Sequence, residues 1–420
     1  MKALLLAGLS VVGIAGSCSK PEMPIPSEHA TWSASEFRDI DLSRVSSQYK
    51  VASAEQIQEA TDWALQQSYR MAPDKPGQTR HDLRSRIQAQ DLSSGQAKES
   101  DLVHYDGSDV VVIALEGTGG FHARKAPVIQ AAAAKLRKQG LRVDGDRASL
   151  SVSVSNALEK HEGRDPGWSG LSRGPLESLI RSPELSERVQ WLSFPSEELE
   201  VMSGLEAFKD PNFSELLAES YDSYRGQTPG IEGALKAIRD IQTQAQKQGK
   251  SPKFVLISHS SGGRSLIKLM EKAKSIKDPQ GAPLSFSATL TIDPVREAHE
   301  AFLEGGRELI NKGTEHNLNR IRRSLNLREK KVWPPLVRSR SQPESLYAPS
   351  NTQKFLNFFQ RQDTQGLKIR PLVGIQGSPV AGALNREIVD VGSAGHGEIA
   401  LHPGIRQAFL EEIGQALEPR

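Results

Sequence analysis

The stretch Lys253–Met270, with the sequence KFVLISHSSGGRSLIKLM, decides the fold. Its first part, Phe254–Ile257, is a short and wholly apolar run that contains β-branched residues, which predicts a strand buried on both faces. From Leu266 onward apolar residues recur at helical spacing, so we expect a helix after the small residues of the connection. The stretch therefore predicts a strand, a sharp turn with Ser260 at its apex, and a helix.

A serine at the apex of such a turn is typical of the arrangement called the nucleophile elbow. The apex residue is held in a strained conformation, and the residues two before and two after it must be small so that they do not collide. These positions are Ser258, where glycine is usual, and Gly262. The alternative interpretation is an ordinary connection, rich in serine and glycine, between a strand and a helix.

Composition favours a soluble protein over a nucleic-acid-binding or membrane-spanning one. The 420 residues, 37% of them hydrophobic, suffice for one large domain with long polar insertions or for two domains. A net charge of +2 does not require a nucleic acid as partner. No run of about 20 apolar residues lies away from the N-terminus, so no internal membrane span is expected. The histidines are dispersed and Cys18 is the single cysteine, so we expect no metal site and no internal disulfide.

The N-terminus has the pattern of a signal peptide. The apolar run 3–15 follows a positive Lys2 and is too short to span a bilayer. The sequence Ala15-Gly16-Ser17-Cys18 that closes it resembles the lipobox of bacterial lipoproteins, in which cleavage leaves the cysteine first and lipid is attached to its sulfur. The resemblance implies a signal peptide at 1–18, lipidation of Cys18, and an exported protein anchored to a membrane of the cell envelope. Plain secretion is the alternative, and 19–53, rich in Pro, Ser and charge, is predicted to be a flexible tether.

After the tether, predicted strands alternate with predicted helices, which implies an α/β fold with a mainly parallel sheet covered by helices on both faces. Helices are expected at 54–71, 126–139, 231–248, 297–311 and 404–417. Further strands are expected at 110–115, 143–155, 189–194, 286–292, 354–360 and 386–391, and a hairpin arm is expected at 371–375. The domain predicted for 54–420 carries polar insertions near 156–188, irregular over 159–185, and near 312–350. The basic part of the second insertion, 312–341, is interpreted as a solvated surface, or alternatively as a lid or collar on anionic lipid.

A glycine cluster, Glu116-Gly117-Thr118-Gly119-Gly120, follows the most strand-like run of the chain. Such a cluster before a helix can be a tight turn, can cradle a phosphate, or can present backbone N–H groups to an oxyanion. Phosphate binding is weakly supported because the cluster is not GxGxxG and no Gly-Lys-Ser/Thr follows.

Chemically distinct features follow the predicted strands in a definite order: the glycine cluster, Ser260, Asp293 and then His396. The carboxyl ends of parallel strands meet at one edge of a sheet, which is where sites form in such folds. The order of serine, acid and histidine along the chain is the order of the α/β-hydrolases.

From about residue 101 to the C-terminus the chain resembles an α/β-hydrolase of the lipase/esterase kind. The sequence TIDPV at Thr291–Val295 resembles the segment that carries the acid of some lipases, and GHGEIALHP at Gly395–Pro403 resembles their terminal histidine loop. The resemblance implies that Ser260 is the nucleophile, His396 the base and Asp293 the orienting acid.

These residue types fit acyl transfer. A serine hydroxyl needs an imidazole to take its proton, and the imidazole needs a carboxylate that fixes its tautomer. The oxyanion needs preset donors, for which we nominate the backbone N–H groups of Ser261 and Thr118. This chemistry requires no cofactor and no metal.

Each assignment has an alternative. Ser261 stands beside the predicted nucleophile, and Asp363 or Asp390 could replace Asp293. Two other histidines could be the base, although His402 is expected to be a surface or capping residue and His259 to pack in the interior.

The leading hypothesis is an exported serine hydrolase that cleaves carboxylic esters, of lipids or small molecules, through an acyl-enzyme. A peptidase or amidase on the same fold is one alternative. Another is a non-catalytic surface lipoprotein that uses the fold as a binding platform, which the missing glycine at Ser258 motivates.

Overall fold

The structure is a computed structural model of the whole chain. It describes residues 29–32, 48–70, 105–117, 125–144, 149–162, 170–194, 196, 230–278, 281–295, 346–361, 377–390 and 395–418. The predicted signal peptide at 1–18, the helix at 297–311, the basic segment 312–341 and the hairpin arm at 371–375 lie outside the described residues.

Parallel strands organise the described part of the chain. In chain order they are β1 (His29–Trp32), β2 (Lys50–Val51), β3 (Val110–Leu115), β4 (Leu141–Arg142), β5 (Val189–Phe194), β6 (Lys253–His259), β7 (Ala288–Ile292), β8 (Phe355–Phe359) and β9 (Leu384–Ile388). One seven-stranded sheet has the order β1-β9-β8-β7-β6-β3-β5, with every neighbouring pair parallel. β2 and β4 pair separately, also in parallel.

Helices cover both faces of the large sheet. They are α1 (Ala54–Arg70), α2 (Lys125–Lys138), α3 (Leu150–Glu162), α4 (Glu177–Ile180), α5 (Pro183–Ser186), α6 (Gly230–Lys247), α7 (Gly262–Ala273) and α8 (Pro403–Leu417). On one face Val255 and Ile257 of β6 share a core with α1, α2, α3 and α8. On the other face Phe254 and Leu256 share a core with α6 and α7.

The prediction of a mainly parallel α/β sheet with helices on both faces is confirmed. It follows from strands such as β3, in which every residue is buried, because only a strand covered on both faces can be apolar throughout. The arrangement is compatible with an α/β-hydrolase fold.

The strand order reverses between β3 and β6. From β3 the chain runs outward to β5, then returns to the other side of β3 as β6 and continues through β7, β8 and β9. In open α/β sheets, ligands bind outside the carboxyl ends of the strands at such a switch point. Here those ends carry Gly117, after β3, and Ser260, after β6.

The strand predicted within 143–155 is wrong for most of its length, because Leu150–Glu162 forms the helix α3. Serine and valine alternate at the start of this segment, but the buried residues Leu150, Val154 and Leu158 recur every fourth position, and Val152 is 42% exposed. Glu177 satisfies the start of the helix, since its carboxylate accepts the N–H groups of Leu150 and Ser151 at 3.0 and 2.8 Å.

The irregular insertion predicted at 159–185 is wrong where the structure describes it. Residues 170–180 are helical, with a π-helical turn at Ser172–Leu176, and Leu171 and Leu179 belong to the core. Gly174 packs on the backbone of Ala400, within the histidine loop: a Cβ at Gly174 would lie 2.0 Å from the Ala400 oxygen. Glycine and proline in this segment therefore serve close packing and not a loop.

The flexible tether predicted at 19–53 is also wrong in part. His29–Trp32 pairs in parallel with β9 at the edge of the large sheet, and Lys50–Val51 pairs with β4. Pairing with an existing edge can order a short polar strand, because the backbone hydrogen bonds come from its neighbour. None of the described helices is both long and apolar enough to cross a membrane.

Candidate active site

The turn after β6 holds Ser260 in a strained conformation. Its φ of 58° lies in the left-handed region, which non-glycine residues rarely adopt. The Ser260 N–H donates to the Ile292 oxygen at 3.0 Å, and the Ser260 carbonyl accepts from Gly263 N at 3.0 Å and Val295 N at 3.3 Å. The end of β7 and the start of α7 therefore fix the apex, and α7 begins directly after it at Gly262.

Two glycines let the backbone approach this turn. A Cβ at Gly262 would lie 2.2 Å from the Leu115 oxygen, at the end of β3. A Cβ at Gly117 would lie 2.6 Å from Cβ of Ser260. The end of β3 therefore requires small residues at positions 117 and 262. Ser258 is fully buried in β6, and its Oγ has no hydrogen-bond partner among the described residues.

Ser260, His396 and Asp293 form one hydrogen-bonded chain. His396 Nε2 lies 2.8 Å from Ser260 Oγ, and His396 Nδ1 lies 2.6 Å from Asp293 Oδ2. A carboxylate can only accept, so Nδ1 donates to Asp293 and leaves Nε2 to accept from the serine hydroxyl. Asp293 is 0% exposed and Ser260 is 7% exposed, whereas the side chain of His396, which lies between them in the hydrogen-bonded chain, is 18% exposed.

Gln360 donates two hydrogen bonds to the carboxylate of Asp293. Its backbone N–H donates to Asp293 Oδ1 at 2.9 Å, and its side-chain Nε2 donates to Oδ2 at 3.0 Å. Asp293 has a φ of 47°, and its own N–H donates to the Phe358 oxygen at 2.6 Å. Gly377 closes the pocket, because a Cβ there would lie 1.8 Å from Asp293 Oδ1. The carboxylate is therefore dry, oriented and hydrogen-bonded on both oxygens, as a buried charge requires.

A buried row of polar side chains crosses β7, β8 and β9 beneath the acid. Thr291 Oγ1 donates to Asn357 Oδ1 at 2.7 Å, and Asn357 Nδ2 donates to Asn385 Oδ1 at 2.8 Å. Asn357 Nδ2 also donates to the Ser378 oxygen at 3.0 Å, and the Ser378 N–H donates to the Pro294 oxygen at 2.9 Å. These bonds connect residues 377–378, which cover Asp293, to the sheet. They therefore stabilise one arrangement of the acid.

His259 packs in the interior, as the sequence predicts. It is 6% exposed, and its ring stacks on the ring of His396 with a centroid distance of 5.0 Å. Burial, followed by the proximity of His396, lowers the pKa of His259 from 6.5 to about 4, so it is neutral at pH 7. Its Nε2 lies 2.9 Å from the backbone oxygen of His396, so this nitrogen is occupied by the histidine loop.

The other candidate side chains that the structure describes have different partners. Ser261 is 0% exposed, and its Oγ lies 3.0 Å from Ser196 Oγ. His402 caps α8, with Nδ1 accepting from Gly404 N at 3.2 Å, and it pairs with Asp390 at 3.4 Å. Its capping role is confirmed, but at 5% exposed it is not a surface residue.

Two predicted positions, Thr118 and Asp363, lie outside the described residues. The oxyanion role of Thr118 therefore stays a prediction, although Gly117, its neighbour, contacts Ser260. Ser261 is the N-cap residue of α7, so the positive end of the helix dipole lies next to Ser260. A developing negative charge beside Ser260 would be stabilised there.

Gln360 is a site residue that the sequence patterns do not predict. Its only signal is its position as the last residue of the strand predicted at 354–360, because the acid it contacts is 67 residues away in the chain. Within the described residues, no group of three or more His, Cys, Asp or Glu side chains could hold a metal ion.

Comparisons with known proteins give the chain no family. No protein-family model matches it, and no curated protein matches it. Among solved structures it is similar to an uncharacterised protein from Pseudomonas aeruginosa, with 10% identity and a TM-score of 0.27 over 88% of this chain and 51% of the other. The chain thus spans about half the length of that protein, and a likeness at this TM-score carries no argument about fold or function.

Proposed function

We propose that this protein is a serine hydrolase that cleaves carboxylic esters through an acyl-enzyme, with Ser260, His396 and Asp293 as its catalytic residues. The observation that carries the proposal is the hydrogen-bonded chain from Ser260 Oγ through His396 to Asp293, with distances of 2.8 and 2.6 Å. An imidazole placed between an alcohol and a buried carboxylate is the arrangement that turns a serine hydroxyl into a nucleophile.

In the proposed reaction Ser260 Oγ attacks the ester carbonyl carbon while His396 Nε2 takes the hydroxyl proton. Asp293 stabilises the resulting imidazolium through its hydrogen bond to Nδ1. His396 then gives the proton to the departing alcohol, and the acyl group stays on Ser260. A water that loses its proton to His396 attacks the acyl-enzyme, the carboxylic acid leaves, and the proton returns to Ser260.

The oxyanion is proposed to bind between the start of α7 and the loop after β3. The backbone N–H groups of Ser261 and Thr118 are the proposed donors, and loss of one such donor typically costs about 2.7–4 kcal/mol of barrier. Two facts support this location: Ser261 is the N-cap residue of α7, and Gly117 approaches Ser260 so closely that no Cβ fits between them.

The choice of ester substrates, and of lipid or acyl esters among them, rests on the resemblance to lipases and esterases. A peptidase or amidase would use the same catalytic residues. A series of p-nitrophenyl esters from short to long acyl chains, assayed beside peptide p-nitroanilides, separates the two. Turnover of the esters alone is the expected result.

The test of the proposal is a Ser260→Ala variant compared with a Ser258→Ala variant. Ser260→Ala is expected to lower kcat on the best p-nitrophenyl ester by about 10⁴- to 10⁶-fold. Ser258→Ala is a matched control in the same turn: it deletes a buried hydroxyl without a hydrogen-bond partner among the described residues, so activity and fold should be kept. Circular dichroism establishes that both variants fold. A folded Ser260→Ala variant with unchanged turnover would remove the proposal.

We also propose that the protein is exported and anchored in the cell envelope through a lipid on Cys18. The support is the sequence Ala15-Gly16-Ser17-Cys18 at the end of a short apolar run. Radiolabelled palmitate should be incorporated into the wild-type chain and not into Cys18→Ala. Equal incorporation, or an unprocessed N-terminus on the isolated wild-type protein, would contradict the anchor.

A further inference from the structure

The base of the site has little local restraint. His396 lies in a single 3-10 turn, Gly395–Gly397, with a glycine on each side. Gly395 has a φ of 46°, and a Cβ at Gly397 would meet no atom within 4 Å. A residue between two glycines can adopt many backbone conformations, so the ring needs contacts from elsewhere to stay aligned with both Ser260 and Asp293.

His259 supplies two such contacts from a rigid strand. Its ring lies against the ring of His396 at an interplanar angle of 27°, and its Nε2 lies 2.9 Å from the His396 backbone oxygen. A carbonyl oxygen only accepts, so Nε2 carries the proton and donates. Because β6 is an interior strand of the sheet, the donor is fixed in space.

The charge state of His259 suits this role. Its pKa of about 4 keeps the ring neutral while His396 gains and loses a proton, so no second positive charge opposes the imidazolium. A neutral ring stacked on an imidazolium is instead favourable, as aromatic faces attract cations.

We infer that His259 is a positioning residue of the proposed hydrolase: its Nε2–H holds the backbone of His396 and its ring fixes the plane of the His396 imidazole. The inference rests on the proposed function for its consequence in catalysis. The contact between the two histidines stands independently of that function.

Two variants separate the contacts. His259→Phe keeps a ring for stacking and removes the donor, whereas His259→Gln keeps a donor and removes the ring. Each is expected to lower kcat by about 10- to 100-fold with KM changed less than about twofold, because displacement of a catalytic group by about 1 Å costs on the order of 10²-fold. His402→Asn is the matched control: it changes another buried histidine and keeps an N-cap residue for α8, so kcat should stay within about twofold.

A purely structural role would change stability but not the state of the base. We therefore expect the far-downfield NMR resonance of His396 Nδ1–H, present in the wild-type protein and in His402→Asn, to broaden or vanish in His259→Phe while the fold is kept. Wild-type kcat together with an unchanged resonance in both folded His259 variants would overturn the inference. If a variant does not fold, the wild-type protein still tests the inference. Its ¹⁵N spectrum should show His259 neutral at pH 7 with the proton on Nε2. A proton on Nδ1 instead would contradict the inference.

Failure of the proposed function gives a different result from failure of the inference about His259. In that case Ser260→Ala keeps its turnover, or the wild-type protein has none, while the NMR readout at His259 remains valid in either event.

Discussion

Gly117→Ala tests how the loop after β3 shapes the site. Gly117 lies against the apex of the turn, and an added Cβ would lie 2.6 Å from Cβ of Ser260, 3.3 Å from its Oγ and 3.1 Å from the His259 oxygen. Real Cβ atoms do not tolerate 2.6 Å, and neither neighbour is the far end of a flexible side chain. Either Ser260 or the loop after β3 must move.

The cost can be worked from these contacts. Relief of the closest one requires a shift of roughly 1 Å, since carbon atoms pack at about 3.5–4.0 Å. Overpacking of this kind costs about 1–3 kcal/mol of stability. The same shift lengthens the 2.8 Å bond between Ser260 Oγ and His396 Nε2 and moves the proposed oxyanion donor, so kcat should fall by on the order of 10²-fold or more.

The assay compares Gly117→Ala with Gly414→Ala. A Cβ at Gly414, within α8, would meet nothing within 4 Å, and Ala in place of Gly inside a helix stabilises by about 0.5–1 kcal/mol. We therefore expect a higher midpoint of urea unfolding and full ester turnover for Gly414→Ala, against a lower midpoint and weak turnover for Gly117→Ala. Gly117→Ala with kcat within about threefold of wild type would refute the reasoning that this loop contacts the reacting serine.

Three further predictions follow from the same geometry. Asp293→Asn should lower kcat by about 10⁴-fold at neutral pH, because an amide no longer fixes the His396 tautomer, and single-turnover kinetics with an activated ester measure this. The pKa of His259 is about 4 in the folded protein and 6.5 ordinarily, so the unfolded chain binds the proton more readily than the folded protein. Acidification from pH 6.5 to 4 should therefore remove about 3 kcal/mol of the free energy of unfolding. Urea titrations at the two pH values measure this loss, which should be absent from His259→Gln. Ser260→Gly should have a free energy of unfolding about 0.5–1 kcal/mol higher than that of Ser260→Ala, because glycine removes the strain of a φ of 58°. The difference should appear as a higher urea midpoint, and equal midpoints would mean that the turn stores no strain.

The sequence predicts those elements in which the local pattern of apolar and small residues fits one type of secondary structure. β3 occupies the predicted range, and β6, the turn and α7 follow the predicted order, because an apolar run flanked by small residues has few alternatives. Ser260, Asp293 and His396 could be nominated because each stands just after a strand or predicted strand. Their meeting at one edge then follows from the parallel sheet.

The remainder depends on contacts that local sequence does not encode. The segment at α3 fits both a strand pattern and a helix pattern. Glu177, which is distant in the chain, favours the helix because its carboxylate accepts hydrogen bonds from the N–H groups at the helix start. β1 is ordered by the edge of β9 and not by its own composition. Gln360 gains its role only because the ends of β7 and β8 lie side by side, so no pattern within either strand could reveal it.

The central claim is that Ser260 is a nucleophile activated by His396. Its most direct measurement is mass-spectrometric mapping of the adduct formed when the folded wild-type protein reacts with a fluorophosphonate. The account predicts one modified residue, Ser260, with labelling lost in a folded His396→Ala variant and kept in His402→Asn. A folded wild-type protein that takes no label, a label on Ser261, or labelling that persists without His396 would contradict it.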